Sequence, residues 1–286
     1  MRVSVYSDVN DFLRNAQPFL ERDEAANGLV LGIAFRLRQQ PDSAKQGALL
    51  MTADEGGAVV LAGAMTPPHN LVLSGSGDPA RNAVEPVVAE ILSGGWTPPG
   101  VGGPVDTARA FAETWTKASG VPHTLRMRHR IYALTKVAHL DYSPGRFGLA
   151  TQADLDVVAR WFAAFGTEVF GEPSDPQQAH EAATARIQAG DVYLWEDGQA
   201  VSMAAKARPT TRGMAINHVY TPPEFRNRGY ATSCAARLSQ TLLDSGREFC
   251  CLFADLANPV SNGIYQKIGY RPVCDANDYR FRAEPA

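Results

Sequence analysis

The sequence predicts an α/β (α+β) fold assembled from two similar halves in tandem. Three observations point there. Short strand-like runs bounded by Gly and Pro alternate along the chain with stretches of helical spacing. The two halves echo each other. Ala58 to Pro68 is matched by Ala200 to Pro223, and Asp106, Trp115, Lys117 and Gly120 stand at a nearly constant offset from Asp255, Tyr265, Lys267 and Gly269. Residues 214–246 read as a strand, a tight loop and a helix, and the rest of the chain is organised around them.

In chain order, residues 1–46 read as mostly helical. Asp8 or Asn10 caps a helix through Phe12, Leu13 and Phe19, and Leu29 to Phe35 is a packed apolar element ending near Gln39-Gln40-Pro41. Ala48 to Ala53, Ala58 to Thr66 and Asn70 to Ser74 form a β-meander around the turn Asp54-Glu55-Gly56-Gly57. The glycines at 75 and 77 mark a plain turn, because Asp78 would repel a phosphate and Pro79 has no amide donor. A helix follows from Ala80 to Leu92, then a loop with at most a short strand over 94–104. A helix over Asp106 to Ser119 turns Phe111 and Trp115 inward.

His123 to Val137 alternates as one long or two short strands. Its row of Arg126, Arg128 and Arg130 reads as a solvated face. Residues 139–145 are a linker. Phe147 to Ala150 is a strand, and Thr151-x-x-Asp154 resembles a capping box before a helix through Val157, Val158, Trp161 and Phe165. Pro176 to Ala189 is a second helix. Val192 to Glu196 and Ala200 to Arg208 pair as a hairpin around Asp197-Gly198.

In the central stretch, Met214 to Tyr220 suits a strand that Thr221-Pro222-Pro223 ends. Ala231, Ala235, Leu238 and Leu242 then recur at helical spacing, with Gly246 as the stop. The loop Arg226-Asn227-Arg228-Gly229-Tyr230-Ala231 offers consecutive backbone N–H groups at a helix N-terminus. Gly229 lets an anion approach the backbone, and two arginines add charge. A diphosphate fits that chemistry. The spacing is neither a Walker loop nor G-x-G-x-x-G.

Arg226-x-x-Gly229-x-Ala231, after a strand and opening a helix, resembles the R/Q-x-x-G-x-G/A acyl-CoA pyrophosphate loop of the GNAT superfamily of N-acyltransferases. Downstream, Asn258, Ser261, Tyr265, Lys267, Gly269 and Tyr270 are similar to that family's N…A/S…Y…K-x-G-F/Y segment. The resemblance covers the last half of the chain. It implies two GNAT-like domains in tandem, each a mixed, mainly antiparallel sheet flanked by helices. Residues 1–138 would be a degenerate copy, without the loop and with Trp115 where the second copy has Tyr265. Residues 146–286 would bind acetyl-CoA.

The resemblance also assigns roles. Val219, Tyr220 and Thr221 would pair with the pantetheine arm. The amides of Arg226, Asn227, Arg228, Gly229, Tyr230 and Ala231 would hold the pyrophosphate. Asn258 and Ser261 would bind pantetheine or the pyrophosphate rim. Tyr265 would be the acid that protonates the leaving thiolate. A phenol near pKa 10 is a fitting partner for a thiolate near 8.5. No general base stands out: His218 would titrate near neutrality, and Glu168 and Glu172 could reach the acceptor pocket.

These features imply an N-acetyltransferase moving an acetyl group from acetyl-CoA to a primary amine of a small molecule or peptide, by direct attack in a ternary complex. A non-catalytic acyl-CoA-binding or sensing protein, or an acyltransferase with another donor, is the alternative. The net charge of −3 argues against a nucleic-acid partner and is compatible with a cationic acceptor. No uncharged apolar run approaches membrane-spanning length, and the N-terminus does not read as a secretory signal. A cytoplasmic monomer or homodimer without a metal is expected. The cysteines at 234, 250, 251 and 274 are expected as free thiols, and the six histidines lack ligand spacing.

Overall fold

The computed structural model describes residues 1–39, 47–171 and 173–282. Gln40 and Pro41, near which the apolar element from Leu29 was expected to end, and Glu172 lie outside them. The chain opens with a strand that the helical reading of residues 1–46 missed, β1 (Arg2–Tyr6). It pairs antiparallel with β2 (Leu49–Glu55), Arg2 opposite Asp54 and Tyr6 opposite Leu50. Between them lie α1 (Val9–Leu20), capped by the Asp8 carboxylate through the amides of Asn10 and Asp11, and α2 (Glu24–Gln39).

The meander continues with β3 (Ala58–Met65) and β4 (Leu71–Ser74). The single helix expected over Ala80 to Leu92 is two, α3 (Gly77–Asn82) and α4 (Val84–Ser93). Then come β5 (Gly100–Pro104), α5 (Val105–Ser119) and one long strand, β6 (His123–Leu134).

The second half repeats the pattern. β7 (Arg146–Leu149) leads through the capping box of Thr151 and Asp154 into α6 (Leu155–Phe170), then α7 (Pro176–Gln188). The hairpin of β8 (Val192–Glu196) and β9 (Ala200–Pro209) precedes β10 (Gly213–Tyr220). α8 (Tyr230–Asp244), β11 (Phe249–Asp255), α9 (Pro259–Ile268) and β12 (Arg271–Phe281) complete the chain.

Among the described residues, all twelve strands join one sheet, in the order β1-β2-β3-β4-β5-β12-β6-β11-β10-β9-β8-β7. Each side of its centre reads alike. Three antiparallel pairings lead to a parallel one, β4 with β5 and β10 with β11, and an antiparallel strand follows. That last strand is exchanged. β12 lies against β5, and β6 lies against β11, so the two meet in the middle as a long antiparallel pair. The arginine row of β6 is therefore not simply solvated. Arg130 binds both oxygens of Asp275 on β12, at 2.7 and 2.9 Å, and Arg126 comes within 3.8 Å of Asp278.

Period-two alternation explains the packing on both faces. Leu49 and Met51 join the cluster under α4 and α5, whereas Leu50 joins that under α1 and α2. On β9, Met203 and Ala205 pack with α6 and α7, and Ala204 packs with α8. α2 also reaches across to the second half. Its buried Glu24 accepts from the Arg212 amide at 2.6 Å and the Arg212 Nε at 2.8 Å, fastening the helix to the β9–β10 turn.

Candidate functional site

β10 pairs with β11 only over Gly213 to Ala215. From Ile216 onward the two strands diverge, while β11 stays paired with β6 as far as Asp255. On its other side β10 remains on β9, with a register shift between Asn217 and Tyr220 and a positive φ of 47° at His218. A bulge of this kind bends a strand away from its neighbour. The result is a wedge whose one wall is the β10 edge from Ile216 to Val219. Tyr220 and Thr221 lie at its end with their carbonyls engaged. Ser202 Oγ donates to the Tyr220 carbonyl at 3.0 Å, and Arg226 Nε donates to that of Thr221 at 2.9 Å. The open backbone thus starts earlier than the Val219–Thr221 stretch read from the sequence.

The loop into α8 presents the expected amides, with one correction. Arg226 N–H is spent on the Pro223 carbonyl at 3.3 Å. Among the described residues, the N–H groups of Asn227, Arg228, Gly229, Tyr230 and Ala231 have no protein acceptor. Gly229 holds φ +79°, and a Cβ there would stand 2.7 Å from Ser143 Oγ. Ser143, from the linker, donates its hydroxyl to the Arg228 carbonyl at 2.8 Å and its amide to Ser233 Oγ at 2.9 Å. The linker thereby braces the loop, a role without a local sequence signal. The Arg226 guanidinium is bound to Glu168, so Arg228, exposed beside Tyr230, is the loop's more available cation. Tyr230 itself turns inward and donates to Asp197 at 2.6 Å.

Asn258 uses its side chain to cap α9, accepting from the Ser261 amide at 3.0 Å. Tyr265, on the same helix, shares a core with Ile216, Leu252 and Ala254, which flank the wedge. Its ring meets Tyr270 edge-on and Tyr132 at a tilt. Among the described residues its hydroxyl has no hydrogen-bond partner, yet it is not sealed from solvent. Burial pushes its pKa up, so the phenol keeps its proton across the ordinary pH range.

Residues 196–280 match the family described as FR47-like protein. No curated protein matches the sequence. Among solved structures, an X-ray structure of a Drosophila protein aligns over 99% of this chain and 99% of its own, at 12% identity and a TM-score of 0.64. A GCN5-related N-acetyltransferase from Sphaerobacter thermophilus aligns over 98% and 94%, at 15% identity and 0.63. An acetyltransferase of the GNAT family from Colwellia psychrerythraea aligns over 98% and 99%, at 12% identity and 0.56. The chain has the GNAT acetyltransferase fold. The expected fold class, a mixed, mainly antiparallel sheet flanked by helices, is the one observed.

On the face of the GNAT sheet that carries α2, α6 and α7, a cleft of about 1090 Å³ opens between the two halves. It borders the wedge through Asn217, His218 and Phe253. His218 does not titrate near neutrality as expected from the sequence. Burial, followed by the charges of Arg186 and Arg208, lowers it to about 3. Its ring stacks on Phe162 at 4.4 Å, and its Nδ1 is buried without a partner. Glu168 is not an acceptor-side acid either. It is held by Arg226 and by the Tyr220 hydroxyl.

Cysteine chemistry finds no support in the GNAT scaffold. Burial raises Cys250 to about 12 and Cys251 and Cys274 to about 11, and raises Cys234 further. Among the described residues no group of three or more His, Cys, Asp or Glu could hold a metal, and no helix is long and apolar enough to cross a membrane. The cleft residues Arg186, Arg208 and Asn217 escaped the sequence reading, because nothing local marks a polar helix or strand residue as facing a cavity.

Proposed function

We propose that this protein is an acyl-CoA-dependent N-acyltransferase that moves an acetyl group from acetyl-CoA to a primary amine by direct attack. The observation that carries this reading is the wedge between β10 and β11, with five unpaired loop amides at the α8 N-terminus beyond its end. A pantetheine arm can add to the open β10 edge as a strand adds to a sheet. The loop amides and Arg228 suit a pyrophosphate there. The thioester would then lie in the wedge, with the amine entering from the cleft on the other side.

The residues supply the remaining steps. Free backbone N–H groups of the β10 edge suit the oxyanion that forms when the amine attacks the thioester carbon. Collapse of that intermediate breaks the C–S bond, and Tyr265, still protonated, delivers a proton to the departing thiolate. The ammonium formed on the acceptor loses its proton to water in the cleft.

The test is calorimetric titration with acetyl-CoA, followed by thiol release with a library of primary amines. Wild type should bind one acetyl-CoA per chain. Arg228→Glu should weaken that binding at least tenfold. Tyr265→Phe should bind acetyl-CoA as wild type does while turnover drops by roughly 100-fold or more. Absence of acetyl-CoA binding by wild type would sink the proposal, and full turnover without the phenol would remove Tyr265 from it.

A further inference from the structure

Arg208, near the end of β9, lines the cleft and has no acidic partner among the described residues. Three other arginines have acidic partners, although Arg186 Nε itself makes no hydrogen bond, and Arg36 adds a further cation to the cleft wall. Arg186 sits 3.3 Å from Asp191 and donates to the Lys206 carbonyl, Arg212 is paired with Glu24, and Arg130 with Asp275. The Arg208 guanidinium instead lies over the Phe253 ring at 5.9 Å, at the mouth of the wedge. Burial, with the charges of Arg186 and Arg36, holds its pKa below the ordinary value. This half-buried guanidinium without a counter-charge leaves its donors open to a ligand in the cleft.

The backbone keeps the residue there against its own preference. Arg208 has φ +44°, in the region L-residues rarely adopt. The facing residue of α2 is Gly32, and a Cβ at that position would come within 2.8 Å of Arg208 Cβ. A second, independent observation lies in the same cleft: His218 Nδ1 is buried without a hydrogen-bond partner. Arg208 calls for a ligand with acceptor atoms, and His218 Nδ1 for a polar ligand atom whose role follows the ring's tautomer. The cleft's size suits a small molecule.

We propose that the acceptor carries an anionic group, a carboxylate or a phosphate, beside its amine, and that Arg208 binds that group. This rests on the acyl-transfer reading above. It reverses what the net charge of −3 suggests, since the molecule as a whole is acidic while this cleft is locally cationic. Anchoring the anion at Arg208, over Phe253, would hold the amine close to the wedge, where attack takes place. A guanidinium gives such an anion charge-assisted hydrogen bonds with fixed direction.

The experiment compares three sets of small amines in the thiol-release assay: amino acids, their carboxamides, and aminoalkyl phosphates. Wild type should prefer the best anionic amine over its neutral counterpart by roughly 100-fold in kcat/KM, the scale of a desolvated charged hydrogen bond. In Arg208→Gln that preference should shrink below about threefold, with Arg208→Lys between the two. Unchanged acetyl-CoA affinity and an unchanged melting temperature show that the variants are folded.

The relative rates of amino acids and aminoalkyl phosphates identify the anion. Equal use of anionic and neutral amines by wild type overturns the proposal, as does a preference that survives Arg208→Gln. Calorimetry with the same anionic amines on the wild-type protein separates two failures. Their binding without acetyl-CoA binding would refute acyl transfer and keep the subsite. Acetyl-CoA binding with none of these anions bound would refute the subsite alone.

Discussion

One nitrogen of the Arg226 guanidinium donates to both carboxylate oxygens of Glu168, at 2.9 and 2.7 Å. This pair ties the loop before α8 to helix α6, and it leaves Arg226 as a brace more than a free charge. Arg228→Ala should therefore lower acetyl-CoA affinity about tenfold, and the loss should shrink with added salt. Glu168→Gln should lower it less than about fivefold, because the pair is half-exposed and worth at most about 1 kcal/mol. Calorimetry at two salt concentrations checks both. A larger loss from Glu168→Gln than from Arg228→Ala would reverse the assignment.

Gly229 is constrained twice, by its backbone and by Ser143 Oγ. Gly229→Ala should cost about 1–2 kcal/mol of stability from the left-handed conformation and the close contact. Ser143→Gly removes the obstructing oxygen, so the double variant should lose less than the two single losses added together. Denaturant unfolding of the four proteins measures this coupling. Strict additivity would mean that the contact with Ser143 has no energetic weight.

Glu24 is a buried carboxylate that joins the halves. Burial alone would raise its pKa, but hydrogen bonds from Thr210 and Arg212 hold it below the ordinary carboxyl value. A depressed folded-state value means a stabilisation present above the unfolded pKa and lost as pH falls through the folded one. Glu24→Gln should cost on the order of 3 kcal/mol at pH 7. Its stability should also fall less than that of wild type on acidification below about pH 4.5. Unfolding curves at pH 7 and in acid give both quantities.

His218 has linkage of the same sign, over a higher pH range. Its folded value of about 3 lies under the unfolded value, so between the two the unfolded chain binds the extra proton. Stability must then drop as pH falls from about 6.5 toward 3. Replacing it by Gln should remove on the order of 2 kcal/mol of the loss seen between pH 7 and pH 5. Nitrogen shifts of the imidazole should stay those of the neutral ring at pH 5. A ring already protonated at pH 6 would contradict the burial described here.

Features written in neighbouring residues were legible. The Asp8 cap, the Thr151–Asp154 capping box, the Asp197-Gly198 hairpin and the strand–loop–helix around Gly229 each depend on a few consecutive positions. What escaped depends on distant partners. β1 is five residues long and finds its partner only at Leu50 to Asp54. The bracing by Ser143 joins a linker to a loop far along the chain. The bent end of β10, which turned His218 into a buried neutral ring, follows from a bulge that no residue type there announces. Arg208 reads as an ordinary strand arginine until α2 covers it with Gly32.

The exchanged strands have a consequence during synthesis. When the first half leaves the ribosome, β5 lacks the neighbour that will cover its edge, because β12 lies far along the chain in the second half. β6 has emerged by then, yet both of its partners, β11 and β12, are still to come. The nascent chain therefore carries open edges until β12 is available, and bare edges invite pairing with other chains. Closure comes late and joins sequence-distant strands, the kind of contact that slows folding. A cut in the linker would strand each half with an unfinished sheet. The two fragments should refold only when mixed, each completing the other.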